Sequence, residues 1–543
     1  MERVWRKHYP DHIQVEVDIP DIALTDVLQQ SVDRFPKNPA VSFSGHEISY
    51  EELNGQVQAF ASSLQKEGVE KGDRVAIMLP NCPHYVTSYY GTLKAGAVVT
   101  QVNPMLVECE LAHILTDSGA ETIVIYGPLL PVLEKVKDQT SIKNVIVVMF
   151  NGNFEGASDE IEFPEFLKQA EGPPSPVDIN PSEDLAVLQY TGGTTGRSKG
   201  AMLTHRNVVA NVVQTNEYFK DEIEMGNERY LTVIPLFHVF GMTSCMNLSI
   251  YSGSKNIMLP RFELEEVLET IKREQPTFFP GVPTMYVAIN SHPKAEEYGI
   301  DSIRVCNSGS APMPQELMRS FEAKTGAKVY EGYGLSESSP VTHCTPLFAE
   351  RKPGSVGIGV PSTDYKIVDV ATGTEELPIG EAGEVVLRGP QVMKGYWNMP
   401  EETGGTIRDG WLYTGDIGRV DDEGYLYIID RKKDLIIAGG FNIYPRDVEE
   451  VIYEHDAVQE AVVVGVPDEY RGETVCAVIV LKDGKTATEE ELISYCRENM
   501  AAYKVPHIVE FESELPKSSV GKILRRKIRD QKNQEFESAR SEQ

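Results

Sequence analysis

Residues 190–200 read YTGGTTGRSKG and follow a run of buried-strand character at 185–190 (LAVLQY). Glycines let backbone N–H groups approach a ligand closely, threonine hydroxyls donate, and Lys199 adds positive charge, so the stretch suits a loop that cradles phosphate oxygens. It is not a Walker A loop, because the G-x-x-x-x-G-K spacing counted from Gly193 needs glycine at 198, where Ser198 stands. Three further positions carry residue types for related chemistry. Glu337, in YEGYGLSESSP at 330–340, is a hard oxygen donor suited to a divalent cation bridging phosphates, although a loop carboxylate can equally be just solvated. Asp416, in YTGDIG at 413–418, can accept hydrogen bonds from the two hydroxyls of a ribose or cap its own turn. Lys522, in SVGKI, can stabilise charge developing on phosphoryl and carboxylate oxygens, or be one more surface cation beside Lys517, Arg525, Arg526 and Lys527. Tyr333 offers a flat face for a base or for the core, and His238, between Phe237 and Val239, reads as a packed histidine as readily as a functional one.

Positioning such groups requires alternating helices and strands. Leu53, Val57, Phe60, Ala61 and Leu64 recur at helical spacing, and Gly68 marks the stop. Buried strands are predicted at 74–79 (RVAIML), 97–100, 123–126, 145–149, 185–190 and 303–306. Helices between continuous apolar runs imply largely parallel sheets covered on both faces. From about Val356 short strands with Gly and Asp turns dominate, at 365–370, 383–388 and 424–429, which predicts a small β-rich region. The charged run DRKKD at 430–434 reads as a linker. Beyond it Val448, Val451, Ile452 and His455 make one helical face, 461–466 and 477–481 read as strands, and Thr488 with Glu491 forms a capping-box signature. The final residues from Lys532 onward are polar and read as frayed.

A chain of 543 residues exceeds one ordinary core, so at least two domains are expected. The formal net charge of −31 argues against nucleic acid as a partner, since binding it takes a basic face. Seven scattered cysteines without a C-x-x-C pair argue against a disulfide framework or a zinc site, and a reduced cytoplasmic chain is expected. The sequence has neither a signal peptide nor an apolar run long enough to span a membrane. A weak peripheral membrane contact and a homodimer both stay open.

The loop at 190–200 resembles the phosphate loop of the adenylate-forming superfamily, which takes in acyl-CoA synthetases, peptide-synthetase adenylation domains and luciferases. The usual loop has Ser or Thr where Gly192 stands and Pro where Ser198 stands; the Gly-Gly pair is similar to that of bacterial long-chain fatty acid–CoA ligases. The remaining boxes follow in order: PLFHVFG at 235–241, YEGYGLSESSP at 330–340, YTGDIG at 413–418, DRKKDLIIAGGFNIYP at 430–445 and PKSSVGKILRR at 516–526.

The resemblance implies an α/β multidomain fold. It has a large N-terminal domain (1–429) of two α/β subdomains plus a β-rich subdomain, a hinge at 430–434, and a small mobile α+β lid (435–543). It implies ATP-dependent activation of a medium- to long-chain fatty acid to an acyl-adenylate, then transfer to CoA, with Mg2+ as cofactor. Lys522, Glu337 and Thr191 become the catalytic set, with Thr191 and Glu337 as metal ligands. ATP or AMP falls to Thr191, Gly192, Gly193, Thr194, Thr195, Gly196 and Lys199, to Gly309, Ser310 and Ala311, to Glu331, Gly332, Tyr333, Gly334 and Ser336, and to Asp416, Arg431 and Lys522. The acyl pocket falls to His238, Val239, Phe240, Gly241, Gly309, Pro340 and Val341, and CoA to Lys433, Gly439, Gly440 and Phe441. An aromatic acid as substrate, a carrier protein as acceptor, and a non-enzymatic acyl- or nucleotide-binding protein are the alternatives.

Overall fold

The computed structural model describes residues 3–150, 160–191, 198–310, 313–438, 441–468, 471–518 and 521–541, apart from the side chains at 441–442 and 537–541. The chain forms two compact units, one of Arg3–Tyr365 with Leu387–Leu412, the other of Lys366–Val386 with Tyr413–Gln543.

The larger unit is built on two mainly parallel sheets. One runs in the order Gly395–Tyr396, Lys199–Thr204, Leu185–Thr191, Val98–Gln101, Arg74–Met78, Thr122–Tyr126, Asn144–Val148, Glu160–Glu162. Its pairs are parallel from Leu185–Thr191 onward, while Lys199–Thr204 and Gly395–Tyr396 join antiparallel at the other end. The second sheet has the order Ile358–Gly359, Val341–Cys344, Lys328–Gly334, Val305–Ser308, Phe278–Gly281, Arg229–Thr232, Lys255–Met258, Pro39–Phe43, His46–Ser49. Its interior pairs are parallel and its ends antiparallel.

The expected strands are present because their apolar runs are long enough to be buried on both faces, as in Arg74–Met78. Helix Tyr50–Lys66 starts where Ser49 accepts from the Glu52 N–H and Glu52 accepts from the Ser49 N–H, a reciprocal cap. The five apolar positions read from its spacing are all buried. Helix Pro83–Lys94 is buried nearly all round, which explains its weak amphipathic pattern.

The smaller unit carries most of two more sheets. One orders Asp364–Val368, Gly383–Arg388, Trp411–Val420 and Ile407–Arg408, with Leu426–Arg431 also paired to Trp411–Val420. The other orders Phe441–Ile443, Ile436–Ala438, Gly472–Leu481 and Val458–Asp468, with Ile508–Phe511 parallel to Gly472–Leu481. Helix Pro445–Tyr453 places Val448 and Ile452 in a core with Ile436, Val463, Ala477 and Leu492. Thr488 caps helix Glu489–Asn499 by accepting from the Glu491 N–H.

The carboxy-terminal reading needs correction. Helix Arg525–Ser541 runs through residues expected to fray. Ile528 and Lys532 are buried and Phe536 packs against the same cluster, a four-residue spacing hidden among charges. Lys532 tolerates burial because Glu510 and Glu535 hold its ammonium at 2.5 and 2.8 Å.

Candidate active site

The 190–200 stretch joins two antiparallel strands, so Thr191 stands directly opposite Lys199 in the ladder. The intervening Gly192, Gly193, Thr194, Thr195 and Gly196 lie outside the described residues, as do Ala311, Gly439 and Gly440. Lys199 is buried, with 6% of its surface exposed. Its ammonium pairs with Glu402 and lies 5.3 Å above the Tyr396 ring.

Tyr396 comes to this position because Gly395–Tyr396 is the edge strand against Lys199–Thr204, with Tyr396 opposite Ala201. Its hydroxyl donates to Oε1 of Glu337 at 2.7 Å, and the Met393 N–H donates to the Glu337 carbonyl at 2.8 Å. Burial, reinforced by the Glu337 charge, pushes the Tyr396 phenol pKa up and keeps it a proton donor. The loop lysine and the acidic-box carboxylate are thus joined through one aromatic side chain.

Glu337 rides on the short turn Ser336–Ser338 after strand Lys328–Gly334, the strand that also carries Glu331, Gly332, Tyr333 and Gly334. A side chain at Gly334 would stand 2.1 Å from the Pro340 carbonyl oxygen, so only glycine fits. Glu331 accepts from the Met313 N–H at 2.9 Å, fixing the chain just beyond Ser310. Ser310 adopts a left-handed φ of 67°, a sparsely populated conformation for a residue other than glycine. Tyr333 is half-buried and stands opposite His343 in the ladder.

The PLFHVFG box opens a π-helical stretch, Gly241–Asn247, a geometry frequent at functional sites. Phe240 and Gly309 are in contact: a methyl at Gly309 would meet the Phe240 ring at 3.0 Å. Val239 and Val341 are buried, and Asn211 brackets Val341 by accepting from its N–H and donating to its carbonyl. His238 is half-buried, and its Nδ1 accepts from the Phe240 N–H at 3.2 Å, which shapes the turn locally.

In the smaller unit Asp416 and Arg431 face each other across a ladder, with Arg431 Nε 2.5 Å from Asp416 Oδ1. Asp416 is 2% exposed. Lys522 sits on a tight turn, its N–H donating to Ser518 Oγ and its carbonyl accepting from the Ser518 N–H. Desolvation and then Arg431 lower the Lys522 pKa to about 8, while Asp416 pulls the other way. The residue as a whole is exposed, and solvent along its stem moderates the shift. Asp416, Arg431 and Lys522 therefore form one neighbourhood; Lys433 is exposed, its carbonyl accepts from Arg529, and burial followed by the nearby Arg431 and Arg529 charges lowers its ammonium pKa against the pull of Asp434.

Sequence reading missed two features. Tyr396 and Glu402 lie in a stretch, GYWNMPEE at 395–402, whose only signal was a glycine before an aromatic pair. Arg525, read as a surface cation, is held by Asp430 at 3.0 Å and by both oxygens of Glu449 at 2.7 Å, with Asp434 at 3.8 Å. Burial pushes the Asp430 and Glu449 carboxyls up, and those carboxylates outweigh desolvation to push the guanidinium up. A guanidinium does not give up its proton, so the ionised cluster is the resident state.

Read with its boxes in order, this fold is that of the adenylate-forming enzymes. The chain belongs to the AMP-binding enzyme family: residues 28–397 match that family and 447–522 match the AMP-binding enzyme C-terminal domain. It is 45% identical to the long-chain-fatty-acid–CoA ligase of Bacillus subtilis (strain 168), over 98% of this chain and 99% of the relative. It is 37% identical to a feruloyl-CoA synthase of Amycolatopsis sp, over 91% of this chain and 96% of the relative. The ATP-bound crystal structure of MatB from Rhodopseudomonas palustris superposes with a TM-score of 0.86 at 30% identity, covering 94% of this chain and 99% of that one. No described helix is long and apolar enough to cross a membrane.

Proposed function

We propose that this chain is an ATP-dependent, AMP-forming fatty acid–CoA ligase. In the first step a carboxylate oxygen of the acid attacks the ATP α-phosphorus, the bond to the bridging oxygen breaks, and pyrophosphate leaves. In the second step the CoA thiolate attacks the acyl carbonyl and AMP leaves. The observation that carries this reading is the grouping of Asp416, Arg431 and Lys522, since a protein that only binds nucleotide has no use for a perturbed lysine beside its ribose carboxylate. In this reading Asp416 and Arg431 hold the ribose. Lys522 stabilises charge on the attacking carboxylate and the α-phosphate. Lys199 exchanges Glu402 for phosphate oxygens. The loop Gly192–Gly196 cradles those phosphates, and the residues from Gly309 to Ala311 and from Glu331 to Ser336 surround the adenine.

Thr191 and Glu337 fit Mg2+: both are hard oxygen donors, and Glu337 has one carboxylate oxygen engaged by Tyr396. Among the described residues there is no group of three or more His, Cys, Asp or Glu placed to hold a metal ion. When bound, Mg2+ neutralises phosphate charge.

The acyl walls are Val239, Phe240, Gly241, Gly309, Pro340 and Val341, with His238 at the turn; all but the last are apolar or small, and they suit an alkyl chain of medium to long length. The feruloyl-CoA synthase relative supports a second reading, in which a flat aromatic acid fills the same walls. The boundaries are a body of 1–429, a hinge at 430–434 and a lid of 435–543. The lid turns between steps so that Lys433, Gly439, Gly440 and Phe441 meet CoA. The reading places the enzyme in the cytoplasm. It is tested by AMP release with Mg2+ and ATP across acids from butyrate to stearate and several aromatic acids, each with and without CoA. CoA-dependent turnover peaking on an aliphatic acid supports it; exchange of pyrophosphate without turnover on CoA, or silence with every acid, overturns it.

A further inference from the structure

We infer that Tyr396 is a positioning residue for Glu337, its hydroxyl fixing which carboxylate oxygen is left to face the divalent cation that accompanies the nucleotide. The inference rests on reading Glu337 as the metal-binding carboxylate. Three observations support it. The phenolic hydroxyl donates to Oε1 of Glu337 at 2.7 Å, which leaves Oε2 outside that hydrogen bond. The Tyr396 ring takes the Lys199 ammonium on its face at 5.3 Å while Glu402 neutralises it, so the lysine has a partner other than Glu337. An ammonium on that carboxylate would compete with a cation for the same oxygens. The tyrosine is also rigidly carried. Its N–H donates to Thr403 Oγ1 at 2.8 Å, and the flanking Lys394 and Trp397 N–H groups donate to Met202 and Gly200 of the strand that returns from the phosphate loop. The returning strand, the lysine and the carboxylate are therefore held in one frame, the arrangement by which an outer partner orients a metal ligand.

The test uses the full chain with α,β-methylene-ATP and Mn2+, following free Mn2+ by electron paramagnetic resonance, and the Mg2+ dependence of pyrophosphate exchange as a second readout. Tyr396→Phe keeps the ring over Lys199 and removes only the hydroxyl. It should weaken Mn2+ binding about tenfold to a hundredfold and raise the Mg2+ concentration needed for half-maximal exchange, with the rate recovering at saturating Mg2+. Glu337→Gln should abolish Mn2+ binding to the same complex. Wild-type Mn2+ affinity in Tyr396→Phe, with binding lost in Glu337→Gln, reduces Tyr396 to packing and overturns the inference alone. Wild-type affinity in Glu337→Gln overturns the reading of Glu337 itself. If Tyr396→Phe is too unstable to assay, 4-methylphenylalanine at 396 fills the place of the hydroxyl with a methyl that cannot donate, and an unmoved Mn2+ affinity there also overturns the inference.

Discussion

Replacing Lys522 by alanine separates the two chemical steps. Its ammonium is close enough to Asp416 and Arg431 for both to move its pKa, and the proposed reading therefore puts it at the ribose end of the nucleotide in the first step. A single well-placed donor at developing charge contributes about 3–4 kcal/mol. At about 1.36 kcal/mol per decade, the adenylation rate should fall roughly two to three orders of magnitude. Single-turnover pyrophosphate release reads that step, and thioester formation from supplied acyl-adenylate and CoA, which should stay near wild type, reads the other. The pH dependence gives a second handle. With its pKa lowered to about 8, Lys522 loses its proton as pH rises through that value, and adenylation should decline there. Lys522→Arg, charged throughout that range, should lose the alkaline limb whatever its absolute rate. Unfolding does not mimic this. Between about 8 and the ordinary lysine value of 10.5 the folded chain binds fewer protons than the unfolded one, so this group adds stability as pH rises. A folded Lys522→Ala slowed equally in both half-reactions, or one with undiminished pyrophosphate release, would refute the reasoning.

Asp416→Ala removes the carboxylate that pairs with Arg431 and should raise the ATP KM about tenfold to a hundredfold, with a smaller change in kcat, in steady-state AMP release. Arg525→Met strips the counter-charge from Asp430 and Glu449 and should cost about 3–5 kcal/mol, read as a lower urea midpoint for the smaller unit by hydrogen exchange of Pro445–Tyr453. Gly241→Ala puts a methyl 2.2 Å from the Pro235 carbonyl oxygen and should cost about 1–3 kcal/mol, visible as a lower Tm together with a disturbed acyl preference.

The two parallel sheets were legible because a strand covered on both faces must be apolar throughout, and such runs stand out in sequence. Boundaries slipped where a tight turn consumed part of a run: Ile303, read as strand, closes the turn Ile300–Ser302, and the strand begins at Val305. That Thr191 and Lys199 bracket one loop was readable locally, and the ladder sets them opposite each other. Tyr396 was not readable, because its meaning comes from an edge pairing with a strand some two hundred positions earlier, which no local pattern announces. The run 430–434 read as a solvated linker for the same reason. Its acids are matched by Arg525 and Arg529, from a helix far along the chain, so charge alone misjudged how deeply they sit.

Helix Arg525–Ser541 sets a practical limit on handling the protein. One face of the sheet formed by Val458–Asp468 and Gly472–Leu481 presents Val462, Val464, Val466, Cys476, Val478 and Val480, and the helix covers it with Ile528 and Phe536. A tail that looks dispensable by composition is in fact the lining of that face. Trimming the chain before Phe536 to aid crystallisation would leave a valine-rich surface open to water, and the shortened protein would find its cover in another molecule, as aggregate. Tags and fusions belong after the helix has closed.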